Sequence, residues 1–326
     1  MSERVTWLLP VKNGMPYLPE TLASIERQTY RNWEVLAWDN NSSDGTLAEL
    51  HQWIPARLSG TVVADAPLSL GLSLARMVEV AGTELCARID ADDINEPERL
   101  ARQVAYLQAH PQVGVVGAAI EFIDEQGRMM PGAWDQPLTD AEIRWRLRWK
   151  NSLNHPTVLF RRSIVLAAGN YRDCMPYEDY DLWFRVGLLA ELANLPEKLV
   201  RYRLTGASVT AAVSRDYETL SNKVAEGLAD KMFGGLDADA ALALRRKARL
   251  GSSESVELWD IIRLRRAATA SALAVGKPAS YFRRTQLFAV QQREMLSRWL
   301  DGHALGRAGL RLKRKLRARL AATRVL

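Results

Sequence analysis

Apolar and polar positions repeat with two alternating periods along the first two hundred residues. Val5 to Val11 is a near-continuous apolar run of strand length, closed by the turn signal Asn13-Gly14. Over Pro16 to Thr29 the residues Leu18, Leu22 and Ile25 fall at i, i+4 and i+7, one face of a helix. Trp33 to Trp38 reads as a second strand, and in the NNSSDGT loop after it Ser43 or Asp44 is placed to cap a helix starting near Thr46. Thr61 to Ala64 is a third strand, Leu70 to Ala81 a helix, and Leu85 to Ile89 a fourth strand that runs into an acidic cluster. Further on the pattern predicts a strand over Val113 to Ile123, a helix over Leu138 to Trp149, a strand after His155-Pro156, a helix over YEDYDLWFRVGLL and an edge strand over Pro196 to Tyr202.

Strand and helix alternate, which predicts an α/β fold with a mostly parallel central sheet and helices on both faces. Near residue 210 the pattern changes to long helices rich in Ala, Leu and Arg. An α/β domain over residues 1–212 and a helical C-terminal region over 213–326 are therefore expected.

Ligands of open sheets bind beyond the carboxyl ends of the strands. That puts the chemistry in PVKNG after the first strand, DNNSSDGT after the second and DADD after the fourth. None is a glycine-rich phosphate loop, which argues against a dehydrogenase or a P-loop ATPase. The cluster Asp90-x-Asp92-Asp93 suits a hard divalent cation, because carboxylate oxygens favour Mg²⁺ or Mn²⁺ and Mg²⁺ is commonly shared with substrate phosphates. In isolation the same residues would read as a solvated loop. Its position at a strand end beside two other polar strand-end loops favours the cation, with Asp90 and Asp92 as ligands and Asp93 assigned to the start of the next helix.

Six segments in order, LLPVKNG, LASIERQT, WEV, WDNNSSDGT, ARIDADD with PERL, and YEDYDLW, resemble the family-2 glycosyltransferases over roughly residues 4 to 210. No Q-x-x-R-W follows YEDYDLW, so the likeness is to the non-processive bacterial enzymes of surface polysaccharide assembly: lipopolysaccharide, capsule or exopolysaccharide. The resemblance implies a single Rossmann-like nucleotide-sugar-binding catalytic domain of GT-A type. It also implies a nucleotide-sugar donor, usually a UDP-sugar, and inverting transfer to a glycan or lipid-linked acceptor with Mg²⁺ or Mn²⁺ bound. Carried over by position, Pro10, Lys12, Asn13 and Asp39 border the nucleoside, and Asn40 stands where the family often has a second acid. Asp90 and Asp92 match the metal motif, with Asp90 also facing the donor, and Asp179 matches the general base. Thr205 stands where relatives commonly carry a His.

Several residues admit two readings. Glu178 beside Asp179 either raises the base's pKa or is ordinary first-turn acid at a helix start. His155 either lines the acceptor or diphosphate site or is structural. Arg76 and Arg88 either meet phosphate or pair with nearby acids. Trp149, with Trp134 and Trp145, either offers an acceptor sugar a stacking surface or belongs to the core. Two further functions compete with the transferase. One is a nucleotidyltransferase, whose glycine-rich loop is missing; the other is a non-catalytic nucleotide- or glycan-binding subunit.

Charge adds one feature. The net +6 of the 326 residues divides into −9 over residues 1–240 (24 Lys/Arg, 33 Asp/Glu) and +15 over 241–326 (20 against 5). Residues 307–326 hold eight Lys/Arg and no acid, with Leu305, Leu312, Leu316 and Leu320 on one helical face. Residues 305–326 thus read as a basic amphipathic helix for an anionic membrane surface, or as a helix docked on the acidic body. Without interleaved aromatics or a known binding module, nucleic acid is not an expected partner. Cys86 and Cys174 show no metal or disulfide spacing and fit a reducing cytosol. The N-terminal apolar run is too short for a signal peptide, and no run of eighteen apolar residues occurs. A cytoplasmic protein, peripheral on the inner face of the plasma membrane, is the expectation.

Overall fold

The first strand, β1 (Val5–Val11), is buried at every position, as a strand covered on both faces must be. In the computed structural model, which describes residues 3–64, 67–132, 134, 136–174, 177–205 and 217–302, the chain divides into two compact units, Met1–Ser221 and Asn222–Leu326. The tail expected to meet a membrane, 305–326, lies outside the described residues.

In the first unit, β1 is followed by α1 (Leu18–Glu26), β2 (Trp33–Asp39), α2 (Thr46–Trp53), β3 (Gly60–Val63), α3 (Leu70–Val80), β4 (Leu85–Arg88) and the short β5 (Ile94–Asn95). Then come α4 (Arg99–Ala109), β6 (Val113–Ile123), β7 (Met129–Met130), α5 (Asp140–Arg146), β8 (Leu159–Arg161), α6 (Arg162–Ala167), α7 (Glu178–Val186) and β9 (Glu191–Arg203). Among the described residues the strands form one nine-stranded sheet in the order β3-β2-β1-β4-β8-β6-β9-β5, with β7 paired to β6. The β1–β2, β1–β4, β2–β3 and β6–β9 pairs are parallel, and β8 enters antiparallel between β4 and β6.

Alternation along β1 divides the core. Val5, Trp7, Leu9 and Val11 pack into one cluster with Leu18, Leu22 and Ile25 of α1 and Leu100, Val104 and Leu107 of α4. The i, i+4, i+7 spacing of α1 thus lands on the sheet, as its pattern requires.

Two expected elements differ. The helix expected over Leu138 to Trp149 is confined to Asp140–Arg146. The segment Pro196 to Tyr202 is no edge strand but part of the thirteen-residue β9, which lies between β6 and β5. Proline is tolerated there because the ladder is interrupted: Leu195 pairs with Ala118 and Lys198 with Ala119, so Pro196 and Glu197 bulge out of register.

The second unit contains α8 (Tyr217–Gly227, which begins before the division), α9 (Ala229–Met232), α10 (Ala238–Ala248), α11 (Leu258–Ala274) and α12 (Gln286–Gly302). Its buried residues include Leu244, Leu264, Ala268, Phe282, Phe288 and Met295. Glu257 and Asp260 form a capping box at the start of α11. No described helix is long and apolar enough to cross a membrane.

Candidate active site

Parallel pairing brings the ends of β1 and β2 level, with Val11 opposite Asp39, and sets β4 on the other side of β1 with Leu8 opposite Arg88. The three polar loops therefore leave the same edge of the sheet. The first two are bonded together. Asn13 and Asn41 both adopt positive φ, a conformation Asn tolerates better than most residues. Asn13 receives the Ser43 N–H on Oδ1 at 2.8 Å and donates its own N–H to Ser42 Oγ at 2.8 Å. Neither Ser43 nor Asp44 caps α2, whose N-cap is Gly45; Asp44, one residue before it, accepts the N–H groups of Thr46 (2.9 Å) and Met15 (3.1 Å) and so ties the start of α2 to the β1 loop. Gly14 is required by space: a Cβ there would lie 2.8 Å from Val11 Cγ2 and 3.4 Å from Ala91 Cβ in the DADD loop.

Within this edge Asp39 is buried, accepts the Ser42 N–H at 3.1 Å on Oδ2 and leaves Oδ1 without a hydrogen-bond partner. Asn40 is buried as well, and its Oδ1 is taken by Leu68 N (3.1 Å) and Ser73 Oγ (3.0 Å). Pro10 is a buried residue of β1, whereas Lys12 is exposed. Arg76 is exposed on α3 and paired with Glu79 at 2.9 Å.

The DADD loop has an arginine on either side. Arg88, the last residue of β4, is 3% exposed and grips Asp90 through both terminal nitrogens. Arg203, the last residue of β9, is 1% exposed and donates its N–H to Asp93 Oδ1 (2.9 Å) and its Nε to the Asp92 carbonyl (2.9 Å). It also meets Glu20 of α1 at 2.5 Å and lies 4.5 Å over the Tyr17 ring. Asp93 is thereby corrected: it does not cap α4, whose N-cap is Glu98, but is fully buried and anchored to β9. Its Oδ2 has no partner. Carboxylate oxygens of Asp90, Asp92 and Asp93 lie within 4.8 Å of one another. Burial, and then the charge of Asp90, push the Asp92 carboxyl up to about 6. An all-oxygen donor set with an unpartnered buried oxygen and mutual repulsion fits a hard divalent cation.

Arg203 gives a direct test. Arg203→Ala should lower the unfolding free energy by about 2–4 kcal/mol in urea denaturation, because it strands the groups this guanidinium bonds. Arg203→Lys should recover only part of the loss, since one ammonium cannot reproduce the fork. Wild-type stability in the alanine variant would rule out this role.

The second acid group stands at the start of α7. Asp179 is 9% exposed; Asn151 donates Nδ2 to its Oδ2 at 2.6 Å, and the Tyr180 N–H reaches Oδ1 at 2.7 Å. Burial pushes its carboxyl up to about 6 against these hydrogen bonds and the Arg88 charge. Glu178 is pushed up to about 7, by burial and then by Asp179, and its Oε2 is unpartnered. His155 Nδ1 lies 3.7 Å from Glu178 Oε1 and 4.0 Å from Asp179 Oδ2, while Nε2 meets the Tyr171 hydroxyl at 3.0 Å. Burial, and secondarily Arg88, hold this imidazole well below its ordinary pKa, so it is neutral. Arg88 thus acts electrostatically on both acid groups, and Asp90 adds to the upward shift of Glu178. Trp149 is half-buried with its ring 5.2 Å from that of the buried Trp145.

Sequence reasoning missed Asn151 and Arg203. No local pattern marks either, since their contacts lie 28 and 110 residues away in sequence.

The chain is similar to proteins already known. Residues 6–167 match the model of Glycosyl transferase family 2. The amylovoran biosynthesis glycosyltransferase AmsE of Erwinia amylovora is 37% identical over 193 residues, covering 57% of this chain and 70% of AmsE. Among solved structures, S. aureus TarS in complex with UDP-GlcNAc superposes with a TM-score of 0.60 at 17% identity, over 92% of each chain. The mannosyltransferase PcManGT of Pyrobaculum calidifontis, in complex with GDP-Man and Mn²⁺, gives 0.56 at 18% identity, over 92% of this chain and 88% of its own. Both structures share the fold of this chain, and the likeness to AmsE extends to sequence. The chain belongs to glycosyl transferase family 2 and is a glycosyltransferase with the GT-A fold.

Proposed function

We propose that the enzyme transfers a sugar from a nucleotide-sugar donor, in the first instance a UDP-sugar, with inversion, to a lipid-linked or growing polysaccharide acceptor in surface polysaccharide synthesis. The observation that carries this reading is the pairing of two unlike acid groups under one arginine: an oxygen cluster suited to a cation, and a buried carboxylate that is raised yet ionised at neutral pH. Asp39 and Asn13 offer the nucleoside a buried carboxylate oxygen and a rigid loop. Asp90 and Asp92 would hold Mg²⁺ or Mn²⁺ beside the diphosphate. A bound cation supplies Lewis-acid stabilisation of the charge that develops on the departing nucleoside diphosphate; PcManGT, solved with GDP-Man and Mn²⁺, supports a cation with the donor in this fold.

Asp179 is the proposed base. As the acceptor oxygen bonds to the anomeric carbon, Asp179 takes the hydroxyl proton while the bond to the phosphate oxygen breaks and its electron pair leaves with the diphosphate. Asn151 fixes the carboxylate and favours its charged form, and Arg88 limits the rise in its pKa. The neutral His155 stands beside both acids, 3.7 Å from Glu178 Oε1 and 4.0 Å from Asp179 Oδ2.

A panel of nucleotide sugars with and without Mn²⁺, followed by NMR of the product, tests the reading. A product of inverted anomeric configuration, formed only with a divalent cation, is expected. Retention of configuration would contradict it, as would full turnover in excess chelator.

A further inference from the structure

Helix α11 of the second unit is two-sided. Ile261, Leu264, Ala267, Ala268, Ser271 and Ala272 are buried. On the other side Trp259, Arg263, Arg266 and Leu273 recur at steps of four, three and seven, which keeps them on one stripe. This stripe is not a polar face of the usual kind: Trp259 is 65% exposed and Leu273 59%. Leu258, 46% exposed, and the exposed Arg265 flank it.

The charge is one-sided. Residues 258–285 hold six Lys/Arg and one acid, Asp260. Asp260 is buried, paired with Lys247 at 2.8 Å and bonded to the Glu257 N–H, so it offsets none of the surface charge. Among the described residues no carboxylate pairs with Arg263, Arg265, Arg266, Arg283 or Arg284. Arg283 donates to Thr269 Oγ1 at 3.1 Å, which fastens the basic turn over Phe282–Arg284 to α11.

We propose that this exposed face of α11 is a docking surface for an anionic lipid bilayer. Trp259 and Leu273 enter the headgroup region, and Arg263, Arg265 and Arg266 meet lipid phosphates. An exposed indole and an exposed leucine among guanidinium groups are the combination a bilayer interface satisfies, through partial burial of the apolar side chains and attraction of the cations. A second copy of the same face would set arginine against arginine, and one lone exposed tryptophan offers a nucleic acid strand no succession of stacking partners. The purpose of the surface rests on the lipid-linked acceptor reading, since an acceptor embedded in a leaflet must be met there.

The test uses the full chain with phosphatidylcholine vesicles, with and without phosphatidylglycerol. Each cation near an anionic surface is worth about fivefold in partitioning. Arg263→Glu/Arg266→Glu should therefore reduce binding to the anionic vesicles by roughly 25-fold or more. Trp259→Ala/Leu273→Ala should also weaken it, and Trp259→Phe should remove part of the quenching by brominated acyl chains. All these positions are exposed, so the far-UV circular dichroism and donor hydrolysis in solution stay at wild-type values. Vesicle binding unchanged by both double variants would overturn the proposal, as would a dimer that dissociates on Trp259→Ala/Leu273→Ala or tighter binding to an oligonucleotide than to vesicles. Vesicle binding that follows the prediction in a protein without turnover would instead fault the active-site reading and leave this surface standing.

Discussion

Asp179→Asn is expected to bind the donor normally and to lose transfer by about 10²–10⁴-fold, the usual worth of a positioned base. The substitution keeps the shape of the side chain, and the Tyr180 N–H can still donate to the amide oxygen, so folding should survive. The pH profile carries the same claim independently. A base acts when ionised, and burial pushes this carboxyl up to about 6, so kcat/KM of the wild type should fall as pH drops through about 6 rather than about 4. Asn151→Ala removes a hydrogen bond that favours the ionised form, and the acid limb should then move to higher pH. An unchanged limb in Asn151→Ala, or substantial transfer by Asp179→Asn, would remove Asp179 from this role.

Asp92→Asn carries the second large effect, and the sign is opposite for stability and for activity. The Asp92 carboxyl is raised on folding from 3.8 to about 6, so ionising it costs the folded state, and this contribution to stability is lost as pH rises through that interval. At pH 7.5 without metal, the asparagine variant should be more stable than wild type by about 1–2 kcal/mol, a rise in Tm of roughly 2–4 °C per kcal/mol for a unit of this size. Addition of Mn²⁺ should raise the Tm of the wild type and leave that of the variant nearly unchanged. Transfer should fall by on the order of 10³-fold, the scale of several kcal/mol of charge stabilisation. Equal Mn²⁺ shifts in both proteins would place the cation elsewhere.

Local periodicity carried much of the fold. The strands β1, β2 and β4 were legible as short apolar runs, and the helices α1 and α3 because each buries its apolar residues on one face. For Arg76 the sequence offered phosphate contact or pairing with a nearby acid, and the structure shows the pairing, with Glu79, on the exposed side of α3 where Leu74, Met77 and Val78 are the buried positions around it. The segment from Pro196 read as an edge strand, and the bulge that lets a proline sit inside the sheet depends on the partner strand, β6. Asp93 resembled a cap. Its true partner, the Arg203 N–H, is supplied by a strand end 110 residues later, and such a contact leaves no local signature. The acidic motifs were readable because the chemistry proposed for them needs those residue types together, whereas the groups that hydrogen-bond them, Asn151 and Arg203, are specified only by the folded arrangement.

Titration of the nucleotide-sugar donor by calorimetry, with and without Mn²⁺, on wild type, Asp92→Asn and Asp179→Asn, each followed by a transfer assay, tests the division of labour most directly. Asp179→Asn should keep Mn²⁺-dependent donor binding and lose transfer, while Asp92→Asn should lose the Mn²⁺-dependent part of the binding itself. The reverse pattern, with donor binding dependent on Asp179 and indifferent to Asp92, would contradict the assignment of the cation to the β4 loop and of the base to α7.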